Sequence, residues 1–596
     1  MKKLNLNKHI KMNLQILSRS LVLNLMASCL VFITSAAFAQ LTDAERNEQV
    51  TIVGSYDPTI DQAFKINLKP QAVTFTHQKP TFTFEVMDVR QDTKLEAGKI
   101  SPATIRADRR KKMYDNYLRA GFGSLISPYL ELHHSSGDKN DSRFNARVYH
   151  LSSFGDIPGY APGPFSNTDL DIGYDKYTGS SIFSLGIGYG LDMYRYYGFE
   201  TEEYPEVNTS SDSLRQSFNQ IRANMGLRSN NKKTESFEYD VNLNAYYYFD
   251  RWQTSQTDLQ LGYDLGKPFE SRNSSGQKAG IRGLVRFGVN KDSLQSNNDL
   301  LVSGIPYYRA KFGLVSFGLG VNLSYLMTDS SDVGFFPVID IKVNIIEDIL
   351  SVYAGADGGF VKNSYFDLSQ ENPWISSALP ISWQKNKFRV FAGVRGNITG
   401  QLGFNLEAGW SSFEHMPFFV NTEDPANWSI SAPALKFTAA FDDGNVFTGQ
   451  AEINYRWQQL TLWLNGNYNV YSLDSLPEPF HKPLTVIGLG GSYLIKEKVR
   501  LWLEMFSYGK RHALDMRSDT PEGVELDGFL DLNAGIDFYA TEKLTVFVRG
   551  TNLLNSNYQR FLYYPVQGLW LMLREAASTE SAIMTTAVSR ENGIGP

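Results

Sequence analysis

The chain has 596 residues, a formal net charge of −6, 48 Gly, 38 Phe and 32 Tyr, and only 42% hydrophobic residues. This composition favours many strands with aromatic and glycine positions over a helical core. The acidic balance argues against a nucleic-acid partner, because binding phosphates needs a clustered positive face.

Residues 1–39 have the pattern of a secretory signal peptide: five basic residues, the apolar run LVLNLMASCLVFITSAAFA, and a small-residue cleavage site at Ala37-Phe38-Ala39. A lipoprotein-type site at Met26–Cys29 fits less well, since the apolar run continues past the cysteine. Cleavage after Ala39 removes five basic and no acidic residues, so the charge becomes −6 − 5 = −11. It also removes Cys29, the single cysteine, so we expect no disulfide and no cysteine site.

Residues 40–112 are polar, contain four prolines, and include the alternating segment TFTFEV at 81–86. They form either an extended tether that binds a partner by strand addition or a poorly ordered leader. The basic cluster Arg109–Lys112 suits either the inner lipid headgroups or a solvated charge run.

From about residue 115 the dominant hydrophobic period is two. In the segment 237–249, apolar residues at odd positions alternate with Glu238, Asp240, Asn242 and Asn244. Similar segments of roughly ten residues recur, the length that a tilted strand needs to cross a bilayer. A soluble β-sandwich also alternates, but here aromatic residues crowd the segment ends and charges follow whole polar faces.

The sequence therefore predicts an all-β fold: a large transmembrane antiparallel β-barrel of about 22 strands over residues 113–573. We expect periplasmic turns at 136–141, 229–234, 329–332, 441–445, 496–498 and 540–543. Long outer loops are expected near 192–213, 360–386, 414–428, 510–526 and 553–567.

Charged residues on the polar strand faces are candidates to face the lumen. They are Glu238, Asp240, Glu407, Glu452, Arg456, Arg500, Glu504, Asp531, Asp537 and Arg549. Acids outnumber bases in this set, which favours cations or neutral solutes over anions. Alternatively, these charges pair with one another and keep the lumen wet. No catalytic, cofactor or metal site is expected: only His133-His134-Ser135-Ser136 places a base beside a nucleophile, and adjacent strand residues face opposite sides.

Two segments resemble TonB-dependent receptors. QVTIVGS at 49–55 is similar to the start of their plug region, and TNLLNSNYQ at 551–559 to the stretch before their last strand. The resemblance implies that Val50, Ile52 and Val53 contact a TonB-type energy-coupling protein. The family's plug has well over a hundred residues, so residues 40–112 would be a truncated plug or an N-terminal extension.

The C-terminal end departs from that family. Residues 574–596 lack an aromatic residue and a period of two, so we expect a tail outside the barrel that is disordered or weakly helical from about Glu575. This departure leaves the closure of the last strand pair in question.

Together these features predict an outer-membrane barrel, without enzymatic activity or a cofactor, that transports a solute across the outer membrane of a Gram-negative cell. The alternatives are a non-transporting scaffold or subunit of an outer-membrane complex, and an open diffusion porin. Expected partners are outer-membrane lipid, the barrel-assembly machinery, and either a TonB-type protein or another outer-membrane subunit.

Overall fold

A computed structural model describes residues 114–579, apart from 137–140, 211, 231–235, 272–273, 293–295, 399, 423–435 and 517–520. The expected signal peptide, the extension 40–112 with Val50, Ile52 and Val53, and residues 580–596 lie outside the described residues. No helix in the described part is long and apolar enough to cross a membrane.

The described residues form one 22-stranded antiparallel sheet that closes on itself, which confirms the predicted fold class. In chain order its strands are β1 (Asn116–Gly123), β2 (Ser127–Ser135), β3 (Ser142–Ser153), β4 (Phe165–Tyr177), β5 (Ser181–Arg195), β6 (Arg215–Ser229), β7 (Glu238–Asp250), β8 (Ser255–Ser271), β9 (Ser274–Lys291), β10 (Ser296–Phe312), β11 (Val315–Met327), β12 (Ser331–Ile346), β13 (Leu350–Asn363), β14 (Ser382–Ile398), β15 (Leu402–Thr422), β16 (Lys436–Trp457), β17 (Leu460–Leu473), β18 (Thr485–Ile495), β19 (Val499–Tyr508), β22 (Phe529–Tyr539), β23 (Leu544–Thr551) and β26 (Trp570–Thr579).

The remaining described elements lie in the connections. They are the hairpin β20 (Arg511–Asp515) with β21 (Glu522–Leu526), the hairpin β24 (Gln559–Phe561) with β25 (Tyr564–Pro565), the helix α1 (Tyr365–Glu371), and a 3-10 helix at Asp212–Leu214. Ser364 caps α1, because its hydroxyl accepts a hydrogen bond from the Asp367 amide at 3.1 Å.

The barrel closes between β1 and β26, where Asn116 pairs with Thr579 and Gly123 with Met572. The expected end of the barrel at residue 573 is therefore wrong, and residues 575–579 are strand instead of a disordered or helical tail. The period of two continues there, since Arg574 and Ala576 are buried while Glu575 is exposed. The period is difficult to recognise in the sequence, because the inward positions hold a charged and a small side chain instead of aromatic residues.

The two faces of the barrel wall differ in character. Outward positions carry exposed apolar side chains on nearly every strand, such as Leu118, Leu132, Leu170, Ile187, Ile221, Leu259, Ile281, Val302, Leu319, Ile341, Val390, Leu406, Phe447, Leu462, Ile487, Leu501, Ile536, Val548 and Leu571. A contiguous apolar belt of this extent is the lipid contact surface of an outer-membrane barrel. The opposite side of each strand, which we call the inner face, carries the polar and charged residues.

Because consecutive strands are antiparallel, their connections alternate between the two ends of the barrel. The turns at 496–498 and 540–543 lie at the periplasmic end, as predicted, and the long loops predicted near 192–213, 360–386, 510–526 and 553–567 coincide with connections at the outer end. The predicted loop at 414–428 is wrong over its described part, because residues 414–422 belong to β15. Two predicted turns were wrong. Residues 329–332 join β11 to β12 at the outer end, and residues 441–445 lie within β16.

The polar sequence at 441–445 has a local role inside β16. The Asp442 carboxylate accepts backbone hydrogen bonds from Ser475 at 3.0 Å and Leu476 at 2.7 Å, and so fixes the start of the loop after β17. Opposite it, the register of β15 shifts between Phe413 and Met416 at a bulge. A polar stretch that anchors a neighbouring loop was therefore mistaken for a turn.

Candidate functional site

The ten charged residues proposed from the sequence all lie on inner-face positions, but they do not form one site. Glu238 and Asp240 lie on β7; Glu407, Glu452 and Arg456 lie on β15 and β16; Arg500, Glu504, Asp531, Asp537 and Arg549 lie on β19, β22 and β23. The three groups belong to separate parts of the strand ring.

Several of these residues have described partners on the inner face. Glu238 binds Lys278 at 2.9 Å, and Arg389 binds Glu407 at 2.5 Å. Arg500 lies 3.8 Å from Asp537. These contacts agree with the alternative that the charges neutralise one another.

Sequence reasoning missed a buried ionic cluster on the inner face of β8, β9, β10 and β13. The Lys362 ammonium is fully buried and lies 3.1 Å from Asp258 and 2.8 Å from Asp299. Arg286 donates to the same Asp258 carboxylate at 2.9 Å. Alternation alone predicts that these side chains face inward, but their pairing between four different strands has no local sequence signal.

The described inner face carries more bases than the ten candidates suggest. It also carries bases that the candidate set left out, such as Arg119, Arg147, Arg222, Arg286, Lys362, Arg389 and Arg574, many of them paired with further carboxylates. These described bases and their partner carboxylates weaken the argument for cations that was based on the ten candidates alone.

At the outer end, loops from several sides of the barrel meet in one aromatic and aliphatic core, which we call the outer loop cap. Its buried members are Ile157, Ala161, Tyr196, Tyr197, Phe199, Val207, Leu214, Phe218, Tyr248, Tyr365, Leu368, Trp374, Ile375, Leu379, Phe419, Phe437, Ala439, Phe561 and Tyr564. Trp374 stacks on Tyr564 with ring centroids 4.2 Å apart, and Tyr197 meets both rings edge-on.

The connection between β13 and β14, residues 364–381, extends farthest into this cap, and we call it the folded-in loop. On one side, Trp374 of this loop contacts Tyr564, which lies in the connection between β23 and β26. On the other side, Tyr365 of the loop contacts Tyr248 on β7. Ile375 also forms a parallel bridge with Phe437 on β16. The folded-in loop thus links nearly opposite parts of the wall above the lumen.

A buried carboxylate holds the folded-in loop against the wall. Asp250, at the outer end of β7, accepts hydrogen bonds from Tyr365 at 2.9 Å, Gln216 at 3.0 Å and the Ser377 hydroxyl. Its other oxygen accepts the backbone amides of Trp252 and Thr254, both at 2.8 Å. No cation contributes to this set of five bonds, which depends on hydrogen bonding alone.

The far side of the cap contains a buried histidine. His481 is 7% exposed, and its ring lies 5.1 Å from Phe561 and 5.4 Å from Phe437. Neither ring nitrogen has a hydrogen-bond partner among the described residues. Burial, reinforced by the positive charges of Arg511 and Lys482, lowers the pKa of His481 to about 3, so the ring is neutral.

The motif at 551–559 builds the last outer loop. Asn552 adopts a left-handed backbone with φ 48°, and its amide group donates to the carbonyls of Ser556 at 2.9 Å and Gln567 at 3.2 Å. Asn555 accepts the Leu569 amide at 2.8 Å. The Tyr558 ring stacks on Phe529 at 3.8 Å. These residues therefore shape the chain between β23 and β26.

The histidine and serine stretch on β2 makes other contacts. His133 lies 2.8 Å from Glu131, and His134 lies 2.6 Å from the Asn116 side chain. The Ser136 hydroxyl accepts the Phe144 amide at 2.9 Å. Among the described residues, no group of three or more His, Cys, Asp or Glu residues could hold a metal ion.

No protein-family model and no curated protein sequence matches the chain. Solved structures do match. The ferripyoverdine receptor of the outer membrane of Pseudomonas aeruginosa has a TM-score of 0.58 at 13% identity, over 78% of this chain and 72% of that one. The siderophore receptor PirA from Acinetobacter baumannii has 0.60 at 9%, over 79% and 81%.

A third match is the ferric-catecholate import receptor Fiu from E. coli K12, with a TM-score of 0.57 at 9% identity, over 78% of this chain and 82% of that one. These neighbours are TonB-dependent receptors, so the fold of the barrel agrees with the resemblance carried by the C-terminal motif. At such low identity the likeness establishes the fold. With the apolar belt, it places the chain in the outer membrane.

Proposed function

We propose that the chain transports a solute across the outer membrane through a barrel whose outer mouth is gated by the outer loop cap. The observation that carries this proposal is the cap itself, which is formed by outer loops and fastened to the wall by Asp250 and Tyr365. Loops that are held by hydrogen bonds and side-chain packing can open without unfolding the barrel.

The cap argues against an open diffusion porin. Its centre is a packed aromatic core, in which Trp374 and Tyr564 are 1% and 0% exposed. A hydrated solute cannot pass through such a core until the loops separate. The three neighbours are named as receptors, one of them an import receptor, and this supports transport over catalysis; we propose no enzymatic role.

We further propose that a TonB-type protein supplies the energy for opening, through the stretch that contains Val50, Ile52 and Val53. Deleting residues 49–55 from the full chain tests this point, with deletion of the whole gene as the reference. Coupled import requires that the short deletion abolish growth on a scarce nutrient as completely as loss of the gene. Normal growth after the short deletion contradicts the coupling.

A reversible disulfide between the folded-in loop and β16 tests whether the outer loop cap must open for uptake. The mature chain would lack cysteine, so Ile375→Cys with Phe437→Cys introduces one pair, at positions that already form a bridge between the folded-in loop and β16. Uptake by whole cells of two kinds of radioactive probe, ferric chelates and a neutral oligosaccharide, is measured before and after reduction. Import through the cap predicts little uptake when the pair is oxidised and recovery on reduction, while the single Phe437→Cys variant is unaffected by reductant.

A non-transporting scaffold is the second candidate, and it is favoured by the extent of the packed core in the cap. Planar-bilayer recordings of the mature chain from Gln40 separate it from the gated transporter. Both predict a silent wild type, but only a gate predicts steady conductance steps once Asp250→Ala loosens the cap. The scaffold is supported if folded Asp250→Ala protein shows no conductance and if uptake is the same before and after reduction of the introduced cysteine pair.

A further inference from the structure

Below the cap, the inner face of β2 to β7 lines an open groove of about 620 Å³, which we call the polar groove. Its upper end is at Tyr246, whose ring lies 5.9 Å from Phe366 of the folded-in loop. Its lower end is at Ser135, where β2 ends at the periplasmic side. The groove therefore follows the wall from the underside of the gate towards the periplasm, and its volume is typical of ligand sites.

The charges that line the groove neutralise one another. Arg222 on β6 donates to Asp169 at 2.9 Å and to Asp171 at 3.0 Å, both on β4. Arg147 on β3 lies 3.6 Å from the same Asp171. An ion entering the groove would have to compete with these pairs, so the groove favours neither sign of charge.

Two glycines make this arrangement possible. The side chain of Arg222 lies flat over β5, where a Cβ at Gly188 would come within 2.9 Å of its guanidinium nitrogen and 2.5 Å of Asp171. A Cβ at Gly186 would come within 2.1 Å of the Asn224 amide oxygen. Side chains of β4 and β6 therefore lie along the wall and leave the space in front of it open.

What remains to meet a ligand is mainly neutral and amide-bearing. Asn224 is exposed to the groove, and Asn145 and Asn244 are half-buried along it. Each amide offers donors and an acceptor side by side. The hydroxyl groups of a sugar also donate and accept, so planar amides and neutralised carboxylates match them better than they match an ion or an apolar molecule.

We infer that the polar groove binds neutral, polyhydroxylated solutes, that is, carbohydrate chains, on their way from the gate to the periplasm. The inference deepens the proposed transport function and rests on it. Arg222 and Asn224 orient the hydroxyl groups, and Tyr246 marks the entrance to the groove beside Phe366 of the folded-in loop.

Calorimetric titration of the detergent-solubilised mature chain tests the inference. The probes are maltohexaose, which is neutral, a cationic glucosamine hexamer and an anionic galacturonate hexamer. We expect saturable binding of maltohexaose and at least about tenfold weaker binding of both charged probes. Stronger binding of either charged probe, or no binding of maltohexaose to folded protein, overturns the inference.

Matched substitutions locate the site. Asn224→Ala with Asn244→Ala should weaken maltohexaose binding by about tenfold, which corresponds to the loss of two ordinary hydrogen bonds. Asn467→Ala is the control, because Asn467 is an inner-face asparagine of β17, eleven strands from β6 in the 22-strand ring (17 − 6 = 11), and its removal should leave binding unchanged. Equal binding by the double variant and the wild type refutes the groove as the site.

The single Asn224→Ala change keeps the test valid if the double variant fails to fold, since Asn224 has no described hydrogen bond to lose. The titration is also independent of uptake. Sugar binding without disulfide-dependent uptake would refute the transport proposal alone, whereas disulfide-dependent uptake without sugar binding would refute the groove alone.

Discussion

Asp250 is the residue on which the closed state of the gate depends most directly, because its carboxylate joins β6, β7 and the folded-in loop. In Asp250→Asn one acceptor oxygen becomes an NH₂ group that faces the donors Gln216 and Tyr365 or the amides of Trp252 and Thr254. Leaving such buried donors unpaired costs roughly 1–3 kcal/mol. We expect faster amide hydrogen exchange in residues 364–381, with the barrel strands unchanged.

The matched control for that change is Asp212→Asn. Asp212 is also an outer-loop carboxylate and binds Arg251, but its side chain is 71% exposed. Exposed ion pairs contribute no more than about 1 kcal/mol, so exchange in the folded-in loop should stay at the wild-type rate. If both variants exchange alike, Asp250 is not the fastening point.

The lowered pKa of His481 predicts that the outer loop cap becomes less stable as the pH falls. Its folded-state pKa of about 3 lies below the ordinary value of 6.5, so the opened loop binds a proton before the closed loop does as the pH falls. The stabilisation by neutral His481 is complete above pH 6.5 and is lost progressively between pH 6.5 and pH 3, by up to about 1.4 kcal/mol per pH unit.

Limited proteolysis of the outer loops measures this response. Cleavage near residues 474–484 should increase between pH 7.5 and pH 4.5 in the wild type. His481→Phe keeps a ring between Phe437 and Phe561 but cannot be protonated, so its cleavage should change less with pH. An identical pH response of the two proteins would assign the effect to other groups.

At the scale of single elements, the cap owes its closure to packing that no local sequence pattern reveals. Trp374 is buried between Tyr197, Phe561 and Tyr564, which come from two other loops. Trp374→Ala removes this contact at a cost of about 3–5 kcal/mol to the cap. We expect conductance steps in planar bilayers where the wild type is silent. Trp410→Ala, on the lipid-facing side of β15, should remain silent.

The strands themselves were predictable because each one needs only a period of two and a length of about ten residues. The connections between the strands were harder to predict from the sequence. The Asp442 stretch resembles a turn, yet it lies in β16 and binds Ser475 and Leu476 of a later loop. The long loops could be located from their composition, but their assembly into one cap depends on contacts such as Tyr196 to the Ile375 carbonyl, 179 residues apart.

At the scale of the whole molecule, inward alternation was predictable for the ten charged candidates, while the pairing of the charges was not. Lys362 and Asp258 are 104 residues apart in the chain and become neighbours only when the sheet curves into a closed barrel. Arg222 and Asp171 in the polar groove, 51 residues apart, meet through strand register, because both pair with Gly188 of the intervening β5. The pairing of charges on the inner face therefore cannot be predicted from the sequence alone.

Closure of the barrel depends on the C-terminal half of β26. β26 pairs with β23 and β1, and its residues from Arg574 to Thr579 supply most of the register with β1, from Gly121 down to Asn116. Arg574 also stacks on Tyr129 of β2, its guanidinium carbon 3.8 Å from the ring centroid. Truncation after Leu573 removes these contacts, whereas truncation after Thr579 leaves them all in place.

We therefore expect the chain that ends at Thr579 to give the heat-modifiable band of a folded barrel on cold SDS gels, and the chain that ends at Leu573 to lose it. The shorter chain exposes unpaired backbone groups of β1 and β23 inside the membrane, where each unpaired group costs several kcal/mol. Arg574→Ala in the full-length chain separates the two contributions, since it removes the side-chain contacts of Arg574, including the stacking on Tyr129, and leaves the backbone pairing of β26 in place. A folded band from the chain that ends at Leu573 would show that the seam closes without this part of β26.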